Sequence, residues 1–242
     1  MTPRILDTPA ELFQAAANEF VTRASKAVHS EGRFTVALSG GSTPKSLYAL
    51  LAGGSLPSIP WDKIYFFWGD ERHVPPDHPE SNFRMTNEAM LSKVPVPRQN
   101  IFRMPGELPN AEDAALAYER ELQRFFRLQP GEFPRFDLIL LGIGPDGHVA
   151  SLFPATTGLL EQHRLVVANW VEKFKTYRIT MTLAVINYAA CVMFLVSGSD
   201  KAEIVKEIFE EPNAHLPAQQ VRPANGELLW MMDRGAGSAL KR

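Results

Sequence analysis

A short loop with an aspartate and a histidine is the segment of this sequence best suited to acid–base chemistry. It spans residues 142–148 (GIGPDGH) and directly follows the apolar segment 136–141. A histidine changes its charge near neutral pH, so His148 could act as a general base with Asp146 beside it. On this loop alone, a turn with a solvent-exposed histidine is an equally good interpretation.

The same loop matches the dinucleotide-binding pattern G-x-G-x-x-G, but three features argue against a nucleotide. Asp146 would set a negative charge against a pyrophosphate, and Pro154 would shorten the helix that should receive it. In addition, no acidic residue stands clearly at the end of the next predicted strand, where it could bind a ribose. We therefore expect no dinucleotide cofactor.

A glycine-rich loop, residues 39–44 (SGGSTP), is suited to binding a phosphate. It follows the apolar segment Phe34–Leu38, and its two glycines allow a tight turn and close backbone approach to a ligand. The pattern predicts that Thr43 caps a helix whose first residue is Pro44, and a helix N-terminus attracts anions. The candidate phosphate-binding residues are Ser39, Gly40, Gly41, Ser42 and Thr43. An ordinary strand-to-helix turn is the alternative, and the Walker spacing of ATP-binding loops is absent.

Charged residues follow the next apolar segment, Ile64–Trp68. Arg72 could hold a phosphate through two hydrogen bonds, and Asp70 or Glu71 could orient it. We include Asp70 among the candidate substrate-binding residues. A solvated, charged loop explains the same residues, and taken alone they favour that simpler interpretation.

Two further cations could join such a phosphate site. Lys201 follows the apolar segment Cys191–Val196 and is predicted in the first turn of the next helix. The helix dipole opposes a cation at that position unless an anion is close. Arg178 is predicted at the start of a strand. A surface lysine is the simpler interpretation of Lys201.

The elements that must position these residues alternate between strands and helices. The predicted strands are Phe34–Leu38, Ile64–Trp68, 136–141, 165–171, Cys191–Val196 and 228–232. The predicted helices are 8–32, with Thr8 as its cap and Gly32 as its end, 44–51, 80–91, Ala111–Phe126 and 200–209. Most of these strands are continuously apolar, which is typical of strands buried on both faces. We therefore predict an α/β, doubly wound, mostly parallel sheet with helices on both faces, and a ligand site outside the carboxyl ends of its strands.

Composition limits the classes of partner and compartment. With 242 residues and a formal net charge of −2, the chain has no global charge that would attract nucleic acid or an anionic membrane. Cys191 is the only cysteine, which excludes an intramolecular disulfide or a cysteine zinc cluster. The first residues do not resemble a secretory signal. We expect one domain over residues 1–242 in the cytoplasm, without a nucleic-acid or membrane partner, and the oligomeric state stays open.

Six segments, spread over nearly the whole chain, match the pattern of one known family. They are 38–44 (LSGGSTP), 68–82 (WGDERHVPPDHPESN), 141–154 (LGIGPDGHVASLFP), 178–182 (RITMT), 197–205 (SGSDKAEIV) and 228–236 (LLWMMDRGA). On these segments the chain resembles the 6-phosphogluconolactonase family, within a broader group that includes glucosamine-6-phosphate deaminase. The resemblance implies a doubly wound α/β fold and an open active site at the strand ends.

The resemblance also implies an activity and residue roles. The reaction is the hydrolysis of 6-phospho-D-glucono-1,5-lactone to 6-phospho-D-gluconate, in the oxidative pentose phosphate pathway. His148 would activate water, and Asp146 would help to organise its loop. The loop 39–44, with Arg72, Arg178 and Lys201, would hold the 6-phosphate. The family needs no organic cofactor and no obligatory metal, and its partner is the small-molecule substrate.

Two alternatives to a lactonase remain. Deaminases usually carry an aromatic residue after the Asp-Glu pair, where this chain has Arg72. They also carry a glutamate five residues after the motif histidine, where this chain has Phe153. Phenylalanine cannot transfer the protons that ring opening requires, so the lactonase is favoured. A non-catalytic sugar-phosphate sensor would need only the cations and not Asp146 and His148.

Overall fold

The computed structural model describes residues 2–241, and its centre is a six-stranded sheet whose strands are all parallel. The strands of the described chain are β1 (Arg4–Leu6), β2 (Phe34–Leu38), β3 (Ile64–Trp68), β4 (Asp70–Arg72), β5 (Leu138–Leu141), β6 (Val166–Val171), β7 (Thr176–Met181), β8 (Cys191–Val196) and β9 (Glu227–Asp233). The order across the main sheet is β1-β9-β8-β5-β2-β3. Every residue of β2, β5 and β8 is buried, as their continuous apolar sequences predict.

The helices of the described residues are α1 (Pro9–Glu31), α2 (Ser42–Leu51), α3 (Asn82–Ala89), α4 (Ala111–Phe126), α5 (Leu183–Ile186) and α6 (Ala202–Glu210). The limits of α1 follow from local chemistry. The Thr8 side chain accepts from the N–H of Glu11, and Gly32 ends the helix with a left-handed φ of 72°. The predicted start and end of α1 are therefore confirmed.

The direction of the connections explains why both faces of the sheet are covered. The connections through α1 and α2 run towards β3, whereas those after β3 run back towards β1. Because such crossovers are right-handed, the two groups lie on opposite faces. The reversal falls between β2 and β5, so a crevice forms outside their carboxyl ends, where open α/β sheets bind ligands. The predicted doubly wound fold is confirmed.

A second, antiparallel sheet of order β4-β7-β6 continues the main sheet at this end. It joins the main sheet at Gly69, whose N–H donates to the Leu38 carbonyl (2.9 Å) and whose carbonyl accepts from the N–H of Met181 (2.8 Å). Arg178, predicted at a strand start, lies in β7, two residues after the first residue of that strand. The prediction of a loop over residues 70–72 is wrong. Residues 70–72 form an edge strand because β7 pairs with them, a distant contact that their charged sequence does not reveal.

Two predicted helix starts also need correction. Thr43 is not the cap of α2, because Gly41 takes that place with a φ of 106° and the helix begins at Ser42. Lys201 lies at the N-cap position of α6, at the end of the short 3-10 turn Ser199–Lys201, rather than inside the first turn. Among residues 2–241, every helix is either too short or too polar to span a lipid bilayer.

Candidate active site

The loop after β2 contributes a buried hydroxyl group. Tyr48 fixes Ser39, because the Tyr48 hydroxyl accepts from the Ser39 N–H (3.0 Å) and donates to the Ser39 carbonyl (2.9 Å). Burial raises the pKa of Tyr48, so this phenol stays protonated. The Ser39 hydroxyl is buried and has no hydrogen-bond partner among the residues that the structure describes. Such a group is costly unless a ligand or water satisfies it, so Ser39 is available to bind one.

Gly40 and Gly41 are needed for different reasons. Gly40 packs against Asn82, and a Cβ atom at this position would lie 1.9 Å from Asn82 Oδ1. Gly41 adopts the positive φ that favours glycine and is the N-cap residue of α2. Ser42 and Thr43 form the first turn of α2, where backbone N–H groups have no partner within the helix and no side chain caps them. These N–H groups can bind an anion.

Asp70 connects β4 to the loop that carries His148. Asp70 is buried, and its Oδ2 accepts from the Ser151 hydroxyl at 2.6 Å. Its Oδ1 accepts weakly from Asn82 Nδ2 at 3.4 Å. The Ser151 N–H also donates to Thr180 Oγ1 in β7, at 3.2 Å. Both carboxylate oxygens of Asp70 therefore bond to protein groups, and the bond to Ser151 helps to fix the loop that carries His148.

Glu71 has a structural role. It points to the opposite face of β4 from Asp70 and is almost fully buried. Its carboxylate accepts from the N–H groups of Asn82 (2.7 Å) and Phe83 (2.8 Å) and so stabilises the start of α3. Burial raises the pKa of Glu71 in spite of these donors. Glu71 is thus committed to α3 rather than to a ligand.

Arg72 and Arg178 lie directly opposite each other in β4 and β7, so their side chains share one face of the small sheet. Arg72 donates to the Glu80 carbonyl at 2.8 Å. Neither guanidinium forms a salt bridge within residues 2–241. Burial and the charge of Arg72 lower the pKa of Arg178. The charges of Asp70, Glu80 and Glu71 oppose this effect only in part. Two adjacent cations that form no salt bridge are therefore suited to an anion that binds between them.

His148 and Asp146 form a hydrogen-bonded pair in the loop after β5. His148 Nδ1 lies 2.5 Å from Asp146 Oδ1, and both side chains are partly exposed. Burial opposes the ionised form of Asp146, but the hydrogen bond and the charge of His148 hold the pKa of Asp146 below its usual range. Because an ionised carboxylate only accepts hydrogen bonds, Nδ1 carries a proton and Nε2 of neutral His148 has a free lone pair. Nε2 can therefore accept a proton.

The glycines of this loop make room for that pair. A Cβ atom on Gly144 would lie 1.9 Å from His148 Nδ1 and Cε1, so only glycine fits beside the imidazole. Gly147 adopts a φ of 72° and turns the chain between Asp146 and His148. Two glycines of the dinucleotide-like pattern therefore have a structural reason: Gly144 leaves room for the His148 imidazole, and Gly147 turns the chain just before it. Among residues 2–241, no group of three or more histidine, cysteine, aspartate or glutamate side chains could hold a metal ion.

Lys201 is positioned by the end of the last strand. Asp233 at the end of β9 is buried and accepts from the Ser197 hydroxyl (2.5 Å) and the Gly198 N–H (3.0 Å). These bonds fix the turn that precedes Lys201, whose Nζ lies 3.7 Å from Asp200 Oδ2. Since β8 is the neighbour of β5, this turn lies beside the loop of His148. The structure therefore places all the predicted site residues at one end of the main sheet.

Several residues that contact the predicted site residues, or the turn before Lys201, were not themselves predicted. They are Asn82, Ser151, Asp233 and the pair Lys173 and Phe174. Three of them lie inside the segments that resemble the family: Asn82, Ser151 and Asp233. Asp233 is a polar residue at the end of an apolar segment, which was an available signal. Asn82 and Ser151 do not stand at the end of an apolar segment, and their partners are far away in the sequence. Lys173 and Phe174 lie outside those segments and carry no such signal.

Comparison with known proteins agrees with the motif resemblance. The sequence model of the family described as Glucosamine-6-phosphate isomerases/6-phosphogluconolactonase matches residues 7–230. A protein of Synechocystis sp. named 6-phosphogluconolactonase is 47% identical over 222 residues, which cover 91% of this chain and 90% of that protein.

Solved structures show the same likeness. The crystal structure of a 6-phosphogluconolactonase from Thermotoga maritima has a TM-score of 0.82 and 32% identity, and the match covers 96% of this chain and 99% of that one. A monomeric glucosamine-6-phosphate deaminase has the same TM-score, with 99% of this chain and 100% of that one covered. At 22% identity, the second likeness shows the fold alone.

Proposed function

The chain belongs to the glucosamine-6-phosphate isomerase/6-phosphogluconolactonase family, and we propose that it hydrolyses 6-phosphogluconolactone to 6-phosphogluconate, a step of the oxidative pentose phosphate pathway. The observation that carries this proposal is the hydrogen-bonded pair of His148 and Asp146 at the same sheet end as Arg72 and Arg178, two adjacent cations that form no salt bridge within residues 2–241. The pair supplies a base for the lactone, and the cations suit a phosphate.

The proposed reaction needs one general base. A δ-lactone carbonyl is already electrophilic, so His148 Nε2 takes a proton from water as the water oxygen bonds to C1. The protonated imidazole then returns the proton to the ring oxygen as the C1–O5 bond breaks. Asp146 stabilises the imidazolium between these steps, because its carboxylate stays ionised. General-base assistance of this kind is typically worth about 10²- to 10⁴-fold.

The groups proposed to bind the phosphate lie in a different part of the site from His148. Arg72 and Arg178 present two guanidinium groups on one face, and Lys201 adds an ammonium group at the start of α6. The Ser39 hydroxyl and the N–H groups at the start of α2 add uncharged donors. Binding energy from the phosphate then orients C1, which lies several bonds away, against His148.

Phe153 supports the lactonase over the deaminase. The residue stands where deaminases usually carry a glutamate, and its ring stacks on the His148 imidazole with centroids 4.0 Å apart. The position that would shuttle protons in ring opening is therefore filled by an apolar ring. The cytoplasmic location and the absence of a nucleic-acid or membrane partner stay predictions.

The test is a lactonase assay with freshly prepared 6-phosphogluconolactone, corrected for spontaneous hydrolysis. We expect a rate far above the background without added metal or nucleotide, and no ammonia from glucosamine 6-phosphate. A rate equal to the background would refute the proposal. Loss of activity with EDTA that zinc restores would refute its metal-free part.

A further inference from the structure

The tip of the hairpin between β6 and β7 carries an exposed phenylalanine at the site. The last pair of this hairpin is Val171 with Thr176, and residues 172–175 form the turn. Lys175 closes the turn with a left-handed φ of 48°. The Phe174 side chain is 46% exposed, so burial alone does not explain a large apolar residue at this tip.

The Phe174 ring lies between the two parts of the proposed site. The Arg178 guanidinium carbon is 5.4 Å from its ring centroid, within the range of a cation–π contact. Phe153 also contacts this ring in a T-shaped arrangement, with centroids 5.9 Å apart, and Phe153 in turn stacks on His148. A chain of aromatic contacts thus connects the proposed base to one of the proposed phosphate ligands.

The neighbouring residue anchors the same tip over the loop of the base. Lys173 Nζ lies 3.7 Å from Asp146 Oδ2, on the carboxylate oxygen that His148 does not use. The tip therefore contacts the catalytic loop through Lys173 and the strand of Arg178 through Phe174. These contacts hold the Phe174 ring beside the guanidinium.

An uncharged aromatic ring is a suitable neighbour for the Arg178 guanidinium. The guanidinium is half-buried beside Arg72 and has no salt-bridge partner within the described chain. A carboxylate at this place would compete with an incoming phosphate for Arg178. The electron-rich face of an aromatic ring stabilises the cation without neutralising it, so the five N–H donors of the guanidinium stay free for an anion.

We propose that Phe174 is a positioning residue that holds Arg178 in the orientation in which it binds the substrate phosphate. The inference rests on the proposed function, since it takes Arg178 as a phosphate ligand. Phe174 acts through Arg178 and takes no part in the proton transfer at His148.

The experiment measures the affinity for inorganic phosphate and for 6-phosphogluconate by titration calorimetry. We compare wild type, Phe174→Ala, Arg178→Ala and the double variant. Phe174→Ala should weaken both affinities by about three- to tenfold, the range of a partly desolvated cation–π contact. In the Arg178→Ala variant, Phe174→Ala should not lower either affinity further, because the guanidinium that Phe174 positions is already absent.

Two controls exclude a general effect on the hairpin. Tyr177 is a similarly exposed aromatic residue on the same hairpin, and it packs against Trp170 instead of Arg178. Tyr177→Ala should leave both affinities unchanged. Phe174→Trp, which keeps an aromatic face, should restore most of the affinity that Phe174→Ala loses.

The outcomes separate this inference from the proposed function. If Arg178→Ala weakens phosphate binding but Phe174→Ala does not, Phe174 has no positioning role. If Phe174→Ala weakens binding equally with and without Arg178, the ring acts by another route and the inference is wrong. If Arg178→Ala itself has no effect, the phosphate assignment of the proposed function fails, and this inference fails with it.

Discussion

The ring of Phe153 stacks on the imidazole of His148, with centroids 4.0 Å apart and an angle of 27° between the planes. Phe153 is itself buried, so it offers the imidazole a fixed apolar surface. Asp146 holds the imidazole at its Nδ1 atom through a hydrogen bond. Stacking and the hydrogen bond together define the plane of the ring and therefore the direction of the Nε2 lone pair.

Replacing Phe153 by leucine should lower kcat while leaving KM nearly unchanged. Leucine keeps the apolar volume but loses the stacking, and an aromatic pair is worth about 0.5–1.5 kcal/mol. If the stacking orients the base in the transition state, kcat falls about two- to tenfold. Steady-state kinetics on 6-phosphogluconolactone measure this, with Phe153→Tyr as a control that keeps the ring. An unchanged kcat in a folded Phe153→Leu variant would show that stacking does not orient His148.

Replacing His148 by alanine should lower kcat by about 10²- to 10⁴-fold and leave KM within a few-fold, as expected for loss of a general base. The fold should survive, because His148 lies in a loop and is only partly buried. His29→Ala, at the exposed end of α1, is the matched control and should behave like wild type. Near-normal kcat in His148→Ala, with an unchanged circular dichroism spectrum, would remove His148 from the mechanism.

The parts of the fold that local chemistry specifies could be predicted from the sequence. The caps of α1, Thr8 and Gly32, act within a few residues of the helix ends. The buried strands β2 and β8 are continuously apolar, which needs no knowledge of their neighbours. The loops that carry Asp146, His148 and the two glycines after β2 follow such strands, so the position of the candidate site at the carboxyl ends was also predictable.

The parts that depend on distant partners could not be predicted in this way. Strand β4 exists because β7 pairs with it across the sequence, and its own residues carry three charges. The bond between Asp70 and Ser151 joins residues 81 positions apart, so a pattern of spacing cannot reveal it. Gly41 rather than Thr43 is the N-cap of α2, and the sequence allows either residue to precede a helix.

Replacing Ser151 by alanine should destabilise the protein, because it removes the 2.6 Å hydrogen bond to the buried Asp70 carboxylate. Loss of a partner from a buried polar group costs about 1–3 kcal/mol in the free energy of unfolding. Urea denaturation measures this change. Ser46→Ala is the control, since the Ser46 hydroxyl bonds to a carbonyl on the exposed face of α2 and its loss should cost no more than about 0.5 kcal/mol. Equal stabilities of the two variants would contradict the connecting role of Asp70.

The buried thiol of Cys191 should be unreactive in the folded protein and should make stability fall at high pH. Burial raises its pKa to about 12, so at pH 8 almost no thiolate is present in the native state. In the unfolded chain the thiol ionises near its ordinary pKa. This contribution to stability is therefore fully present below the unfolded pKa and is lost as pH rises towards the folded value.

Alkylation with iodoacetamide at pH 8 tests the prediction for Cys191. We expect slow labelling of the folded protein and rapid labelling in urea, measured by mass spectrometry. Cys191→Ser or Cys191→Ala should remove the labelling completely, since the chain has no other cysteine. Rapid labelling under native conditions would show that β8 opens readily or that the thiol is not buried.

Replacing Lys201 by alanine should impair the phosphorylated substrate selectively. Lys201 stands at the N-cap of α6, where the helix dipole disfavours a cation. Among residues 2–241 its one salt-bridge partner is Asp200, with the two charged atoms 3.7 Å apart. A phosphate at this position would satisfy both the ammonium and the helix end. Charge-assisted contacts are each worth about 1.5–3 kcal/mol, or roughly ten- to a hundredfold in affinity. We therefore expect kcat/KM for 6-phosphogluconolactone to fall by about that factor.

The same variant should barely change the slower hydrolysis of unphosphorylated gluconolactone, because that substrate offers Lys201 no charge to bind. Inorganic phosphate should inhibit wild type competitively, and Lys201→Ala more weakly. Lys206→Ala, on the same helix, is the matched control and should resemble wild type with both lactones. If Lys201→Ala slows both lactones equally, Lys201 acts in the chemistry or in the fold, and its assignment to the phosphate is wrong.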